Sequence, residues 1–318
     1  MSRVAAIDCG TNSIRLLVAD VTTRDDGSHW LRDVHREMRI VRLGQGVDAT
    51  GRLAPEALAR TRAALVDYVA VLRRKGVQRA RMVATSATRD AANQDEFFAM
   101  TAAVLGVAAE VISGDEEAEL SFVGAVGDLA PEDGPFLVAD VGGGSTELVL
   151  GTWDGVRAEV EAAKSVDIGC VRLTERALLS DPPTAAEVAA AREITAAALA
   201  DAFAAVPVAG ARTWVGVAGT VTTLAAITLD LPEYDSERIH LARLDLATVS
   251  ATTTLLLTLS HDERAAIGAM HPGRVDVIGG GAIIVEAVAD RLSRESGIDA
   301  LVAGEHDILD GIALSLAE

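Results

Sequence analysis

Two stretches of this 318-residue chain are versions of one another. Val4-Ala5-Ala6-Ile7-Asp8-Cys9-Gly10-Thr11-Asn12 opens the sequence, and Leu137-Val138-Ala139-Asp140-Val141-Gly142-Gly143-Gly144-Ser145-Thr146-Glu147 recurs near its middle. Each reads as an apolar strand ending in Asp, then a Gly-containing turn with Ser, Thr or Asn. A second apolar strand follows, Ile14 to Ala19 in one case and Leu148 to Gly151 in the other. The aspartates, at 8 and 140, are 132 positions apart. A repeat at that spacing implies two related halves, each offering a polar turn to one shared cleft.

The residues of the pair point to phosphate and a divalent cation. Successive backbone N–H groups of a Gly-rich turn form a concave nest for anionic oxygens. Gly142, Gly143 and Gly144 permit positive φ and close approach of a ligand. Thr11, Asn12, Ser145 and Thr146 add neutral donors. Asp8 and Asp140 are oxygen ligands of the kind Mg²⁺ takes beside water and substrate phosphates. One such turn alone reads more readily as a β-hairpin shaped by its glycines, and the duplication reverses that preference. Turn geometry does not require Asp at the end of both buried strands.

The remaining pattern is α/β. Strands read at Val4–Ile7, Ile14–Asp20, Arg39–Leu43, Arg81–Ala84, Ala109–Ile112, Phe136–Asp140, Glu147–Leu150, Ala163–Ile168, Thr213–Val217 and Val275–Ile278. Several are continuous apolar runs, as expected of strands covered on both faces. Helices read at Pro55–Lys75, Asn93–Leu105, Glu116–Val126, Thr184–Val206, Thr248–Leu257 and Ala282–Ser293. Gly216 to Thr220 and Gly279-Gly280-Gly281 read as further Gly-rich turns, which approach a ligand or simply allow close packing of helix on strand.

A 50% hydrophobic composition supports substantial cores, and the length fits two domains. No run approaches the roughly 18–20 apolar residues of a membrane span. The sequence enters a strand at once, so no leader is expected, and two cysteines fit a reducing cytoplasm. A formal net charge of −19 argues against nucleic acid and anionic membrane as partners. It also repels a polyanionic substrate, so cations must be concentrated locally.

Asp8-Cys9-Gly10-Thr11-Asn12-Ser13 and Asp140 to Glu147 resemble the two phosphate loops of the actin/Hsp70/sugar-kinase superfamily. Three further segments narrow the resemblance: Thr85-Ser86-Ala87-Thr88-Arg89-Asp90, Ile112-Ser113-Gly114-Asp115-Glu116-Glu117-Ala118 and Val217-Ala218-Gly219-Thr220. In that order they resemble the exopolyphosphatase/guanosine pentaphosphate phosphohydrolase family, over essentially the whole chain. The resemblance implies two similar ribonuclease-H-like (actin-like ATPase) domains with a cleft between them. Residues 1–116 plus 304–318 would form the first and 117–303 the second, the C-terminal helix returning to the first.

It also implies a Mg²⁺-dependent phosphoanhydride hydrolase, other divalent cations being admissible. The substrate would be inorganic polyphosphate, or the stringent-response nucleotide guanosine pentaphosphate. Glu117 is implied as the base for the attacking water, with Glu147 as a second catalytic carboxylate that also serves metal or water. Asp8, Asp140 and Glu147 are then the metal carboxylates. Thr11, Asn12, Arg89, Gly142, Gly143, Gly144 and Ser145 hold phosphate. Arg15, Arg36, Arg39 and Arg42 lie near the first loop and could track a phosphate chain. His240, His271 and His306 read as structural. One departure stands out: the family often has Leu-Arg-Glu-Gly near the C-terminus, where this chain reads Ile308-Leu309-Asp310-Gly311. The chain resembles the short members of the family, for which a homodimer is also compatible.

Overall fold

A computed structural model describes residues 2–317. Two mixed sheets carry the duplication. The first contains β1 (Ser2–Cys9), β2 (Ser13–Thr23), β3 (His29–Ile40), β4 (Arg79–Ala84) and β5 (Glu110–Val111), in the order β3-β2-β1-β4-β5. The second contains β6 (Phe136–Val141), β7 (Thr146–Trp153), β8 (Ala158–Val166), β9 (Thr213–Val217), β10 (Arg243–Asp245) and β11 (Ala300–Ala303), in the order β10-β11-β9-β6-β7-β8. In each, three antiparallel strands lead off and later strands join the first in parallel. With the antiparallel edge strand β10 set aside, the two orders are the same. Val4 to Cys9 of β1 and all of β6 are buried on both faces, which is why they read as unbroken apolar runs.

Helices cover both sheets. Pro55–Lys75 opens on Pro, closes on a left-handed Gly76 and carries Arg73, Arg74 and Lys75 in its last turn. Each of these choices favours the end at which it sits. It buries Leu65, Tyr68 and Leu72 in the first core, and the Tyr68 hydroxyl donates to the Ile14 carbonyl at 2.9 Å. Ala185–Ala205 starts with a reciprocal cap between Thr184 and Glu187 and buries Ala191, Leu199 and Ala202 in the second core.

Two helices meet where the halves join. Gly114–Val126 packs Ala118, Phe122, Ala125 and Val126 with Phe136, Val138, Val149 and Val215 of the second sheet. Ile308–Leu314 packs Ile308, Leu309 and Ile312 with Val4, Ala6, Leu17 and Val83 of the first. They cross at Gly124 and Gly311. A Cβ on either would overlap backbone of the partner, the Asp307 carbonyl in one case and the Leu120 carbonyl in the other.

Several sequence readings change. Of the strand expected at Arg39–Leu43 only Arg39 and Ile40 are strand, as the end of β3, which starts at His29; residues 41–43 lie beyond it. Its charged residues hide the apolar alternation from a pattern reading. Val275–Ile278 is no strand: Val275 follows a single 3₁₀ turn and Ile278 opens the helix Ile278–Glu295. A four-residue apolar run does not distinguish the two states. Gly279 to Gly281 lie inside that helix, not in a turn. A Cβ on Gly280 would sit 2.6 Å from the Thr174 hydroxyl and 2.9 Å from the Cys170 carbonyl. These glycines therefore let helices approach closely. Among the described residues, no helix is long and apolar enough to cross a membrane.

Candidate active site

The duplication extends to single hydrogen bonds. Gly10 N–H donates to Ser13 O at 3.0 Å, and Gly142 N–H donates to Ser145 O at 3.1 Å. The segment after β3 docks on the first turn through Val41 and Arg42 N–H to Asn12 O and Gly44 N–H to Thr11 O. The segment after β8 docks on the second through Val171 and Arg172 N–H to Gly143 O and Cys170 N–H to Gly142 O. Among the described residues no hydrogen bond uses the N–H of Gly143 or Gly144, which leaves two donors for an anion.

The triple glycine serves close approach and not positive φ, contrary to the sequence reading; none of Gly142, Gly143 and Gly144 lies in the left-handed region. A Cβ on Gly143 would come within 3.0 Å of the Thr11 Cβ. One on Gly144 would lie 2.5 Å from the Thr11 hydroxyl and 2.6 Å from that of Ser86. The second turn thus abuts the first across the cleft.

Inside this junction is a cavity of about 90 Å³ lined by Asp8, Thr11, Asn12, Glu117, Asp140 and Gly142 to Ser145, together with Arg15 and Arg274. Arg89 and Glu147 do not line it but stand behind its wall. Arg89 donates from one Nη to Glu117 Oε2 at 3.2 Å and to the Ile112 carbonyl at 3.0 Å. Glu147 is 1% exposed and accepts from the Ser165 hydroxyl at 2.7 Å.

Strand register explains the electrostatics. Asp8 faces Arg15 across β1 and β2, and Asp140 faces Glu147 across β6 and β7. Arg15 and Glu147 therefore occupy equivalent positions with opposite charge. Asp8 Oδ2 accepts from Arg15 Nε at 2.9 Å and Nη2 at 2.7 Å, while Arg15 Nη1 pairs with Asp307. Among the described residues, Asp140 receives only the Ser121 hydroxyl, at 2.6 Å.

The carboxylates respond accordingly. Burial, with Asp307 nearby, pushes Asp140 up to about 6. Burial and the charge of Asp140 push Glu147 up to about 8. Burial and Glu147 hold Glu117 well above the usual carboxylate range. Burial raises Asp8 as well, although Arg15 opposes it. Asp8 Oδ1 is buried without a hydrogen-bond partner among the described residues. An unpartnered buried carboxylate oxygen, beside a half-site with two like charges, fits a hard divalent cation. Asp8 and Asp140 would hold it, with Glu147 in support.

Sequence reasoning missed Arg274, and it took in Ala218 only as part of a motif, with no role of its own. Arg274 is half-buried, with its Nη1 donating to the Gly219 carbonyl and, at 2.9 Å, to the Thr223 hydroxyl. A Cβ on Gly219 would collide with that guanidinium, which gives the Val217-Ala218-Gly219-Thr220 segment its glycine. Ala218 holds φ at +68°, a conformation that costs a non-glycine residue roughly 1–3 kcal/mol and collects at functional sites. Arg15, Ala218, Gly219 and Arg274 also border an adjoining cavity of about 510 Å³ that takes in Arg36, Tyr234 and Leu309. Arg36 is tied to Asp33 and Asp310, Arg39 to Glu37 and Asp67, and Arg42 to Asp276.

Away from the cleft, His240 and His306 converge on Asp128, a grouping that their sequence separation conceals. Asp128 Oδ2 lies 3.3 Å from His240 Nε2 and 2.6 Å from His306 Nδ1. Glu305 N–H donates to His240 Nδ1 at 3.3 Å, which puts that ring's proton on Nε2, facing Asp128. A metal-binding imidazole needs the reverse arrangement. The trio is thus a carboxylate shared by two imidazoles, and despite burial it holds His306 up at about 8.

Comparison with known proteins converges on one family. The family model described as Ppx/GppA phosphatase family matches residues 21–316. The chain is 59% identical to Exopolyphosphatase 2 of Mycobacterium tuberculosis, over 100% of this chain and 99% of the relative. It is 32% identical to a guanosine-5'-triphosphate,3'-diphosphate pyrophosphatase of Aeromonas salmonicida, over 92% of this chain and 55% of the relative. The crystal structure of an exopolyphosphatase-like protein superposes with a TM-score of 0.92 at 43% identity, covering 99% of this chain and 98% of that one. With its duplicated actin-like ATPase-type fold and paired glycine turns, the chain belongs to the Ppx/GppA phosphatase family and is a phosphoanhydride hydrolase.

Proposed function

We propose that the chain is a Mg²⁺-dependent exopolyphosphatase that releases orthophosphate from the ends of inorganic polyphosphate. The observation that carries this reading is the cavity in which two phosphate turns, the unpartnered Asp8 oxygen and Glu117 converge. The 59% identity to an exopolyphosphatase supports the substrate. We place the division between the halves at 1–116 plus 304–318 and 117–303. The packing of Gly114–Val126 on the second sheet and Ile308–Leu314 on the first supports that division.

The terminal phosphate sits against the N–H groups of Gly143 and Gly144 and the side chains of Thr11, Asn12 and Ser145. Arg89 pins one oxygen of Glu117, and the other has no hydrogen-bond donor among the described residues. That oxygen orients water for in-line attack and accepts its proton, the task of a general base. Asp8 and Asp140 would hold a divalent cation, which would neutralise charge on the phosphoryl oxygens. Arg15 and Arg274, on the border between the cavities, meet the phosphates beyond the scissile bond.

Guanosine pentaphosphate 5'-phosphohydrolysis is the second reading. The adjoining 510 Å³ cavity has room for more than a phosphate chain, and the Aeromonas relative supports it. An orthophosphate-release assay separates the two, using short polyphosphate, long polyphosphate, guanosine pentaphosphate and ATP, each with and without Mg²⁺. Polyphosphate should give the highest kcat/KM, and only with Mg²⁺. A higher kcat/KM for guanosine pentaphosphate selects the second reading, and turnover in excess chelator removes the cation.

A further inference from the structure

Arg172 lies outside both cavities yet touches both halves of the molecule. It sits on the helix Cys170–Ala177 of the second half, and its guanidinium is largely buried. Nε donates to the Gly144 carbonyl of the second phosphate turn at 2.9 Å. The other nitrogens reach the first half: Asp48 at 2.9 Å, Asp90 at 2.5 Å and the Ser86 hydroxyl at 3.2 Å. Two residues on the same helix face add to the junction. Arg176 pairs with Asp48 at 2.5 and 2.6 Å, and Glu175 accepts from Gly46 N–H at 3.3 Å.

The partners are well placed to transmit motion. Asp48 rides on the single helical turn Val47–Thr50, bounded by Gly46 and Gly51. Both glycines are left-handed, at φ 74° and 66°, a conformation that favours glycine. Asp90 follows Arg89, the residue that pins Glu117. Ser86 abuts Gly144 itself. One planar guanidinium with five fixed donors spans all of these positions, a geometry that a lysine ammonium cannot reproduce.

We propose that Arg172 is a positioning residue, an interdomain latch that couples closure of the two halves to the shape of the second phosphate turn. When Asp48 and Asp90 of the first half engage, Arg172 is held in place and fixes the Gly144 carbonyl. The turn that carries the N–H groups of Gly143 and Gly144 is then held in place beside the cavity. When the halves part, these ion pairs break, the turn is released and product leaves. The inference rests on the reading of Gly142 to Ser145 as a phosphate turn. The latch is argued from contacts independent of that reading, so it is tested by shape as well as by activity.

The experiment compares the wild type with Asp48→Asn and Arg172→Lys in orthophosphate release from polyphosphate with Mg²⁺, and in small-angle scattering. Asp48 touches neither cavity nor turn. Asp48→Asn should expand the radius of gyration and raise KM about tenfold with kcat within twofold, as expected when the competent closed fraction falls. Arg172→Lys should expand the molecule equally and lower kcat as well, because the Gly144 carbonyl loses its donor. Raising NaCl should expand the wild type, since partly exposed pairs are screened, and should leave Asp48→Asn nearly unchanged. Wild-type KM and radius in Asp48→Asn, or a wild-type radius insensitive to salt, overturns the latch. Should the wild type release no orthophosphate from any substrate, the phosphohydrolase reading fails while the scattering comparison still decides the latch.

Discussion

At the scale of single residues, the two halves differ in one exchange. Arg15 answers Asp8, whereas Glu147 faces Asp140. The first half neutralises its own aspartate and the second leaves two carboxylates together in a buried place. With burial the first cause, Asp140 titrates at about 6 and Glu147 at about 8, both above their usual range. A carboxylate whose pKa is raised on folding binds more protons folded than unfolded, so stability falls as pH rises between the two values. The metal-free protein should therefore lose thermal stability from about pH 4 to pH 8, and Mg²⁺ should restore most of it at pH 8. Thermal melts at a series of pH values, in chelator and in Mg²⁺, check this; a Tm independent of both would remove the uncompensated charge.

Asp8→Asn bears on the same site from the other side. It keeps the shape and gives Oδ1 no charge to offer. The Mg²⁺ concentration for half-maximal activity should rise on the order of 10- to 100-fold, the range found for carboxylates that support a metal. An unchanged Mg²⁺ titration would exclude Asp8 from the cation's surroundings. Asp8, Asp140 and the two glycine turns were legible in the sequence because the repeat places them at equivalent positions, and Glu117 was singled out only by the resemblance of Ser113-Gly114-Asp115-Glu116-Glu117. Arg274 and Arg172 were not, for each acts through a fold-made contact with a segment distant in sequence.

At the scale of elements, the crossing of Gly114–Val126 with Ile308–Leu314 sets Glu117 relative to Asp8. Gly124 and Gly311 let the two backbones touch. Gly124→Ala would force its Cβ into the Asp307 carbonyl, on the residue that pairs with Arg15. Overpacking of this kind costs roughly 1–3 kcal/mol. Urea denaturation should show a lower midpoint with an unchanged slope, and an unchanged midpoint would show that the helices separate without cost. The long helices and fully buried strands were readable from periodicity, capping and apolar runs. The misreadings fall where periodicity is weakest. β3 carries many charges, β10 has only three residues, and Val275–Ile278 is too short to show a period. The glycines of Gly279 to Gly281 looked like a turn because sequence shows the absence of a side chain but not the neighbour that requires it.

At the scale of the whole molecule, duplication builds a cleft from two equivalent turns and then breaks the equivalence chemically. In a chain with a formal net charge of −19, Arg15 and Arg274 stand on the border between the two cavities, where the proposed reading has phosphate pass. Glu117 comes from the helix that joins the halves, so closure and the proposed base are mechanically linked. The most direct test of this account is orthophosphate release from polyphosphate by the wild type and Glu117→Gln, at saturating Mg²⁺ with substrate binding measured in parallel. The glutamine keeps size and hydrogen bonding but cannot accept the water's proton. The account predicts retained binding and turnover reduced roughly 10²–10⁴-fold, the contribution of a positioned general base. Turnover within a few-fold of the wild type would contradict it.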